Sequence, residues 1–328
     1  MKGTRFGLSA LLLVAAVSGC GGGGGGNGQG GVPGLPGTGP NGNNPPGGAP
    51  VGIVKALGTV QMPKGFEEPR GIALDGTTIF VTAREVASDK AVILKILNGN
   101  SQVLYRGDVP GTHAAMTNPV ALAFGSATLY VADMSSDFAP GAAGAVLSID
   151  MTGKMTVLSA GMIDAPTGVM VQSDGSLAVC GSDPLEGQGA VFKVTTTGTS
   201  MIAKGGALTQ PTGLGADANG TIFVSDAGSR MPHAQLVSVS ANGGTPALVS
   251  EITDTCSAES GVAIMGNNTF VATRHGNAGR LSAVAGSSEQ IGYEGTPLVA
   301  PNGITTNGLS LYVADQDANG AGQILILN

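Results

Sequence analysis

Pro211-Thr212-Gly213-Leu214, then Asn219-Gly220, then Ile222-Phe223-Val224-Ser225-Asp226 is the stretch that decides the fold of this 328-residue chain. A helix-breaking residue opens a short aliphatic run, a turn pair follows, and a second run of β-branched and aromatic residues closes it. Asn-Gly between two such runs is a strong hairpin signal. The phrase recurs at Pro69-Arg70-Gly71-Ile72, Pro119-Val120-Ala121-Leu122, Pro166-Thr167-Gly168-Val169, Glu259-Ser260-Gly261-Val262 and Pro301-Asn302-Gly303-Ile304. The second copy has Ala for Gly, and the fifth has Glu for Pro. Starting points at 69, 119, 166, 211, 259 and 301 give steps of 50, 47, 45, 48 and 42 residues. A period of about 40–50 residues built from short strands is that of a propeller.

The copy beginning at Pro69 shows how one period is divided. Gly71-Ile72-Ala73-Leu74 is a short inner strand, Asp75-Gly76 a turn, and Thr78 to Thr82 a second strand. After a polar loop, Ala91 to Leu97 forms a third strand, Asn98-Gly99-Asn100 turns the chain, and Gln102 to Tyr105 forms a fourth. Four antiparallel strands make one blade. The expectation is an all-β, six-bladed propeller over residues 51–328. Gly suits the crowded inner strand because it permits close backbone approach, and Pro is tolerated as a strand's first residue. The sixth copy has three strands. The apolar segment from Ile53 to Met62, with Val54, Ala56, Leu57, Val60 and Met62, is therefore expected to complete it and close the ring. Closure removes exposed strand edges.

Ahead of the repeats the composition changes. Lys2 and Arg5 precede Leu8 to Val17, an apolar stretch too short to span a bilayer. It ends in Val17-Ser18-Gly19-Cys20, which resembles the lipobox of bacterial lipoprotein signal peptides. The resemblance implies cleavage after residue 19, lipidation of Cys20 and a membrane partner through that lipid. Gly21 stands where the family's inner-membrane retention signal has Asp, so the outer membrane of the cell envelope is expected. Residues 20–50 are mostly Gly, Asn and Pro, which cannot offset chain entropy by burial and read as a disordered tether. Setting aside Lys2 and Arg5 leaves 13 basic and 22 acidic residues, a net charge of −9. That balance excludes nucleic acid as a natural partner. Cys180 and Cys256 remain, enough for one disulfide in an oxidising compartment if their Cα atoms approach within about 7 Å. By the strand count they lie in blades three and five, with blade four between them.

The run Pro-x-Gly-aliphatic, Asp/Asn-Gly, aliphatic-aromatic-Val-Ala/Ser-Asp resembles NHL repeats and related six-bladed propellers. Two enzyme groups share this look. In the gluconolactonase and regucalcin-like hydrolases a divalent cation sits in the central tunnel, held by Glu, Asn and Asp near the inner strands. Asn302-Gly303 resembles that family's ligand motif, so calcium at Asn302 is what the resemblance implies. The equivalent slots hold Arg70, Val120, Thr167, Thr212 and Ser260, a set short of the oxygen ligands calcium requires. Nearby Glu68, Asp164 and Glu259 are the carboxylates within loop reach. The series Arg70, Thr167, Thr212, Ser260 and Asn302 is then a candidate tunnel lining for a ligand, with no metal and no cofactor.

Streptogramin-lyase-like enzymes form the second group, using His and acidic residues on one face. His113, His233, Arg274 and His275 fall in connections that emerge on one face here, with Arg84, Glu85, Asp137, Asp183, Glu186, Arg230 and Asp317. Such a face suits binding, or general acid–base chemistry. Asp133, Asp226 and Asp315 end second strands, where Asp commonly accepts loop N–H groups. The functional expectation is a lipid-anchored binding module for an unidentified protein or small molecule, without catalysis. The alternatives are a metal-dependent lactonase-like hydrolase or a lyase.

Overall fold

A computed structural model describes residues 52–107, 116–135, 144–228, 233–257 and 259–328. The signal segment, Cys20, the tether, His113, Asp137 and Arg230 lie outside the described residues. Six four-stranded antiparallel sheets form the ring expected from the repeat. Blade one comprises Ile72–Asp75, Thr78–Glu85, Lys90–Leu97 and Asn100–Arg106, with the short strand Phe66–Glu67 added on Thr78–Glu85. Blade four, from the decisive stretch, comprises Pro211–Ala216, Thr221–Asp226, Ala234–Ser240 and Ala247–Ile252. The one helical turn among the described residues is Ala318–Gly320, of 3-10 type.

Blade six closes as expected. Its strands Pro301–Thr306, Leu311–Asp315 and Gln323–Leu327 are completed by Ala56–Gln61, which pairs antiparallel with Gln323–Leu327. Gln61 Nε2 donates to Gln323 Oε1 at 3.2 Å, and the Asn328 amide donates to the Lys55 carbonyl at 3.0 Å. The burial differs in one respect. Val54 and Met62 are buried, but Ala56 and Leu57 are exposed, Leu57 at 58%. An outermost strand stands at the wide perimeter of its blade, where neighbouring blades diverge. The seam is held by the backbone ladder and two end anchors.

Each junction between blades carries its own apolar cluster. The two largest fill the junctions of blades five with six, around Phe270, Tyr293 and Leu325, and one with two, around Phe80, Tyr105 and Leu147. The smallest fills the junction of blades four and five and holds Ala234, Leu236, Ile252, Val262, Val271 and Val284 as its buried members.

At the axis the repeated Gly has the expected cause. A Cβ at Gly71 would lie 2.8 Å from the Ala121 backbone, and one at Gly261 would lie 2.6 Å from the Ile304 amide nitrogen. Both approaches are closer than any real Cβ makes. The Pro of the phrase has a second role that only the structure reveals. Pro211 and Pro301 stack their Cδ atoms over Gly189 and Gly279 of the preceding blade, where a Cβ would come within 2.9 and 2.8 Å. Pro166 on Gly144 and Pro69 on Gly322 repeat the arrangement. The lock is absent at two junctions, where the pair is Ala91 and Pro119 between blades one and two and Ala234 and Glu259 between blades four and five.

A chain begun at Lys64 lacks the closing strand. Burying a Val or Met side chain is worth about 1.5–3 kcal/mol, so loss of Val54, Met62 and the ladder is expected to lower the thermal midpoint by several degrees or more. Calorimetry of the two chains checks this, and an unchanged midpoint would sink the closure argument.

Candidate functional site on the loop face

Every inner strand starts, and every second strand ends, on the same face of the ring. Three second strands end in a fully buried carboxylate. Asp133 accepts the amides of Thr117 and Asn118 at 3.0 and 2.7 Å. Asp226 accepts those of Thr209 and Gln210 at 2.8 and 2.9 Å, and Asp315 that of Ala300 at 2.6 Å. These are the residues just before each Pro. The aspartates thus fix the loop that delivers the next inner strand, the structural role expected of them. Burial raises the Asp315 carboxyl above its ordinary range, against the opposing pull of its N–H donors.

The slot after Pro lies at the neck of the tunnel, and its polar groups are already engaged, some within their own blade and some with the next. Thr212 Oγ1 donates to the Ser225 carbonyl at 3.1 Å, and Ser225 Oγ to the Ser260 carbonyl at 2.6 Å. Thr167 Oγ1 donates to the Pro211 carbonyl at 2.8 Å. Asn302 Nδ2 donates to Gln316 Oε1 at 2.7 Å, while its Oδ1 accepts from Ser257 Oγ at 3.1 Å. Thr212, Ser260, Asn302 and Val120 are buried. The cavity among the glycines measures about 40 Å³.

Arg70 behaves differently. Its Nη1 donates to Asn118 Oδ1 at 2.6 Å and to Glu259 Oε1 at 3.1 Å, and its Nη2 lies 3.4 Å from Glu68 Oε2. One guanidinium therefore ties blade one to blades two and five across the tunnel mouth. Glu259 replaces the Pro of the fifth copy, and burial raises its carboxyl above the ordinary range, with Arg70 pulling it back. Arg84 adds a second guanidinium, 2.6 Å from Glu67 Oε1, 2.8 Å from Glu68 Oε1 and 2.8 Å from Asp89 Oδ1. Arg70, Arg84, Asn118 and Glu68 line a cleft of about 80 Å³ between blades one and two. A divalent cation does not fit this neck. The carboxylate nearest it, Glu259, is already paired with the Arg70 guanidinium, and the amide of Asn302 is engaged on both atoms. Among the described residues, no group of three or more His, Cys, Asp or Glu could hold a metal ion.

Three of the loop-face candidates meet on one loop. His233 Nδ1 bonds the Thr253 carbonyl at 2.8 Å. His275 Nδ1 bonds Asp254 Oδ1 at 2.8 Å. Arg274 exchanges backbone hydrogen bonds with Thr255, at 2.8 and 3.1 Å. Asp254 is buried and also accepts from Arg280 Nη1 at 3.0 Å, whose Nη2 reaches Glu294 at 2.6 Å. Sequence reasoning missed Asp254, Arg280 and Glu294, because none recurs at its position in other blades. With Nδ1–H given to a carboxylate, the lone pair of His275 sits on Nε2, and the side chain is 41% exposed. That arrangement can accept a proton.

Cys180 and Cys256 are free thiols. Cys180 Sγ lies 3.4 Å from Thr167 Oγ1, and Cys256 adjoins the hydroxyls of Ser260 and Thr212. Burial pushes both up to about 12, so neither is a nucleophile at neutral pH.

No protein-family profile matches the chain, and no curated protein is similar to it in sequence. Solved structures share its fold. A putative oxidoreductase (glucose dehydrogenase) of Thermus thermophilus is 15% identical with a TM-score of 0.59, the match covering 84% of this chain and 99% of that one. The hydrazine synthase of Kuenenia stuttgartiensis is 13% identical with a TM-score of 0.51, over 78% of this chain and 79% of that one. A Trypanosoma rangeli sialidase mutant displaying trans-sialidase activity is 11% identical with a TM-score of 0.50, covering 85% of this chain and 58% of that one. At such identities the likeness is one of fold, and fold does not carry function.

Two outcomes are expected. Asp254→Ala takes one of the two carboxylates from Arg280 and the partner from His275, and should cost about 1–3 kcal/mol in denaturant unfolding, whereas Asp89→Ala at the exposed end of the Arg84 cluster should cost less than about 1 kcal/mol. The second concerns pH. A carboxyl raised by folding holds its proton better folded than unfolded. Its contribution is fully present below the ordinary Glu value of about 4.3 and lost as pH rises through the raised value. Wild type should therefore lose stability relative to Glu259→Gln across that window.

Proposed function

We propose that the chain is a binding module, tethered to the cell envelope by lipid on Cys20, whose loop face receives a protein or small-molecule ligand. One observation carries this reading. The polar slots of the tunnel neck are consumed by contacts within the ring, while Arg70, Arg84 and Asn118 are held in fixed poses around a cleft on the loop face. Side chains positioned in advance cost little entropy when a ligand arrives. The net acidity of the chain argues against nucleic acid as that ligand. Among the described residues no helix is long and apolar enough to cross a membrane, and the lipobox-like Val17-Ser18-Gly19-Cys20 supplies the attachment in this proposal.

His275 favours a second reading, an enzyme of hydrolase or lyase type. A His held by a buried carboxylate with Nε2 turned outward is poised as a general base, worth about 10²–10⁴-fold in rate. Lactone turnover falling at least about a hundredfold in His275→Gln would support it. Turnover equal in the two proteins would remove His275 from the chemistry.

The leading reading predicts that Cys20→Ala moves the protein from the membrane to the soluble fraction. It also predicts that a photo-crosslinking residue placed at Arg84 captures a ligand in intact envelopes, whereas one at Asn98, at the opposite end of the blade, does not. Capture from Asn98 alone, or membrane retention of Cys20→Ala, would overturn it.

A further inference from the structure

The junction between blades four and five has the most sparsely filled wedge of the ring. Its buried apolar cluster is the smallest, and the Pro-on-Gly lock of four junctions is replaced here by Ala234 and Glu259, as it is between blades one and two by Ala91 and Pro119. It also lacks the aromatic pair that fills the wedge between blades one and two. Between blades one and two, Phe80 of the second strand stacks on Phe124 of the next inner strand, with ring centroids 5.5 Å apart. Register places Phe223 where Phe80 stands, since Phe80 pairs with Ala73 and Phe223 with Gly215. The counterpart of Phe124 in blade five is Ile264. In the outer strand, Tyr105 and Tyr293 face Ile93 and Leu281, whereas the equivalent partner of Leu236 is Ser250. This junction thus carries neither the inner-strand Phe found between blades one and two nor the outer-strand Tyr of blades one and five, a lack it shares with the junction of blades two and three, where Val171 and Ser159 stand.

What remains is a crevice of about 740 Å³, on the hairpin face opposite the Arg70 cleft. Such a volume lies within the roughly 300–1,000 Å³ typical of small-molecule sites. Phe223, Leu236, Val249, Ile264 and Val284 line its apolar part, with Leu236 and Val284 fully buried. Asp217, Asn219 and Asn267 stand at its rim, and no Lys, Arg or His is among the residues that line it. Asp217 Oδ1 is committed to the amides of Asn219 and Thr221 at 2.9 and 2.8 Å. Its Oδ2 meets only Asn219 Nδ2, at 3.5 Å, and so keeps accepting capacity.

We propose that this crevice binds a small organic amine, whose flat aromatic body lies against Phe223 in the unfilled wedge and whose ammonium group reaches Asp217 at the rim. The chemistry follows from the lining. An apolar interior takes the ring in place of the missing aromatics, a lone carboxylate without a cation selects positive charge, and the side-chain carbonyls of Asn219 and Asn267 accept the remaining N–H groups. An anion of the same shape would meet the Asp217 carboxylate and is rejected. This site is separate from the loop face and stands apart from the reading given above.

The probe is phenethylamine, with 3-phenylpropionate and toluene as comparators, titrated against the whole protein by calorimetry and thermal unfolding. Phenethylamine is expected to raise the midpoint saturably by mass action. Toluene should bind at least about tenfold more weakly, 3-phenylpropionate should leave the midpoint unchanged, and Asp217→Asn should weaken the amine about tenfold. Ile264→Phe restores the Phe80–Phe124 pair found elsewhere in this ring. It should abolish binding while keeping its own midpoint and the crosslink from position 84. Val249→Phe fills the same space from the outer strand and decides the matter if Ile264→Phe folds poorly. An unsaturable response to the amine, equal affinity for 3-phenylpropionate, or undiminished binding in a folded filled variant would overturn the proposal.

Discussion

Around the axis, backbone meets backbone. The Gly303 amide donates to the Arg70 carbonyl at 2.9 Å, and the Gly261 amide to that of Asn302, also at 2.9 Å, so neighbouring inner strands are joined without a side chain between them. This crowding sets the remaining terms of the structure. Side chains must project into the wedges between blades, where they form a separate apolar cluster at each junction. Polar groups at the neck must find partners within the ring or be left buried without them, at a cost of about 1–3 kcal/mol each. Thr167, Thr212, Ser225 and Asn302 all find such partners.

The same logic explains why charge gathers at the rim of the neck. Arg70 has a long stem and a planar fork, so it reaches over the rim and spans three blades at once. The carboxylates that meet it, Glu68 and Glu259, come from the loops that precede inner strands rather than from the strands themselves. On blade five a buried carboxylate acts differently: Asp254 organises the side chains of His275, Arg280 and Ser282 from a loop. A scaffold fixed at its centre thereby presents stiff polar groups on a face where the loops differ from blade to blade.

Much of the fold was legible in the residue order because its determinants are local and repeated. Hairpin turns, period-two runs and the phrase at its regular steps needed no knowledge of the tertiary structure, and the missing outer strand of blade six pointed to the segment before Lys64. Leu57 shows where that reasoning stops: apolar character predicted burial, but an outermost strand meets solvent. The partners of the slot residues could not be read, since the Ser260 carbonyl comes to Ser225 across a blade boundary. Asp254 was invisible for a related reason. It belongs to no repeat, and its importance arises only when Arg280 and His275, more than twenty residues away in the chain, close around it. Conversely, the one residue that broke the phrase most plainly, Glu259, marks the junction with the smallest buried apolar cluster.

Closure by Ala56–Gln61 also has a temporal side. The hydrogen bond between Gln61 and Gln323 joins residues 262 positions apart. Five blades can form from contiguous stretches of about forty residues, each a local event. The sixth cannot, because one of its strands precedes all the others and its partner is made last. Until Gln323–Leu327 is available, Ala56–Gln61 has no ladder and the ring has two open flanks, the condition in which sheet edges recruit wrong partners. Loop closure over so long a span is entropically slow. The exposed, polar-flanked character of Ala56–Gln61, which looked like a weak seal, suits a strand that must wait in water for its partner without collapsing elsewhere.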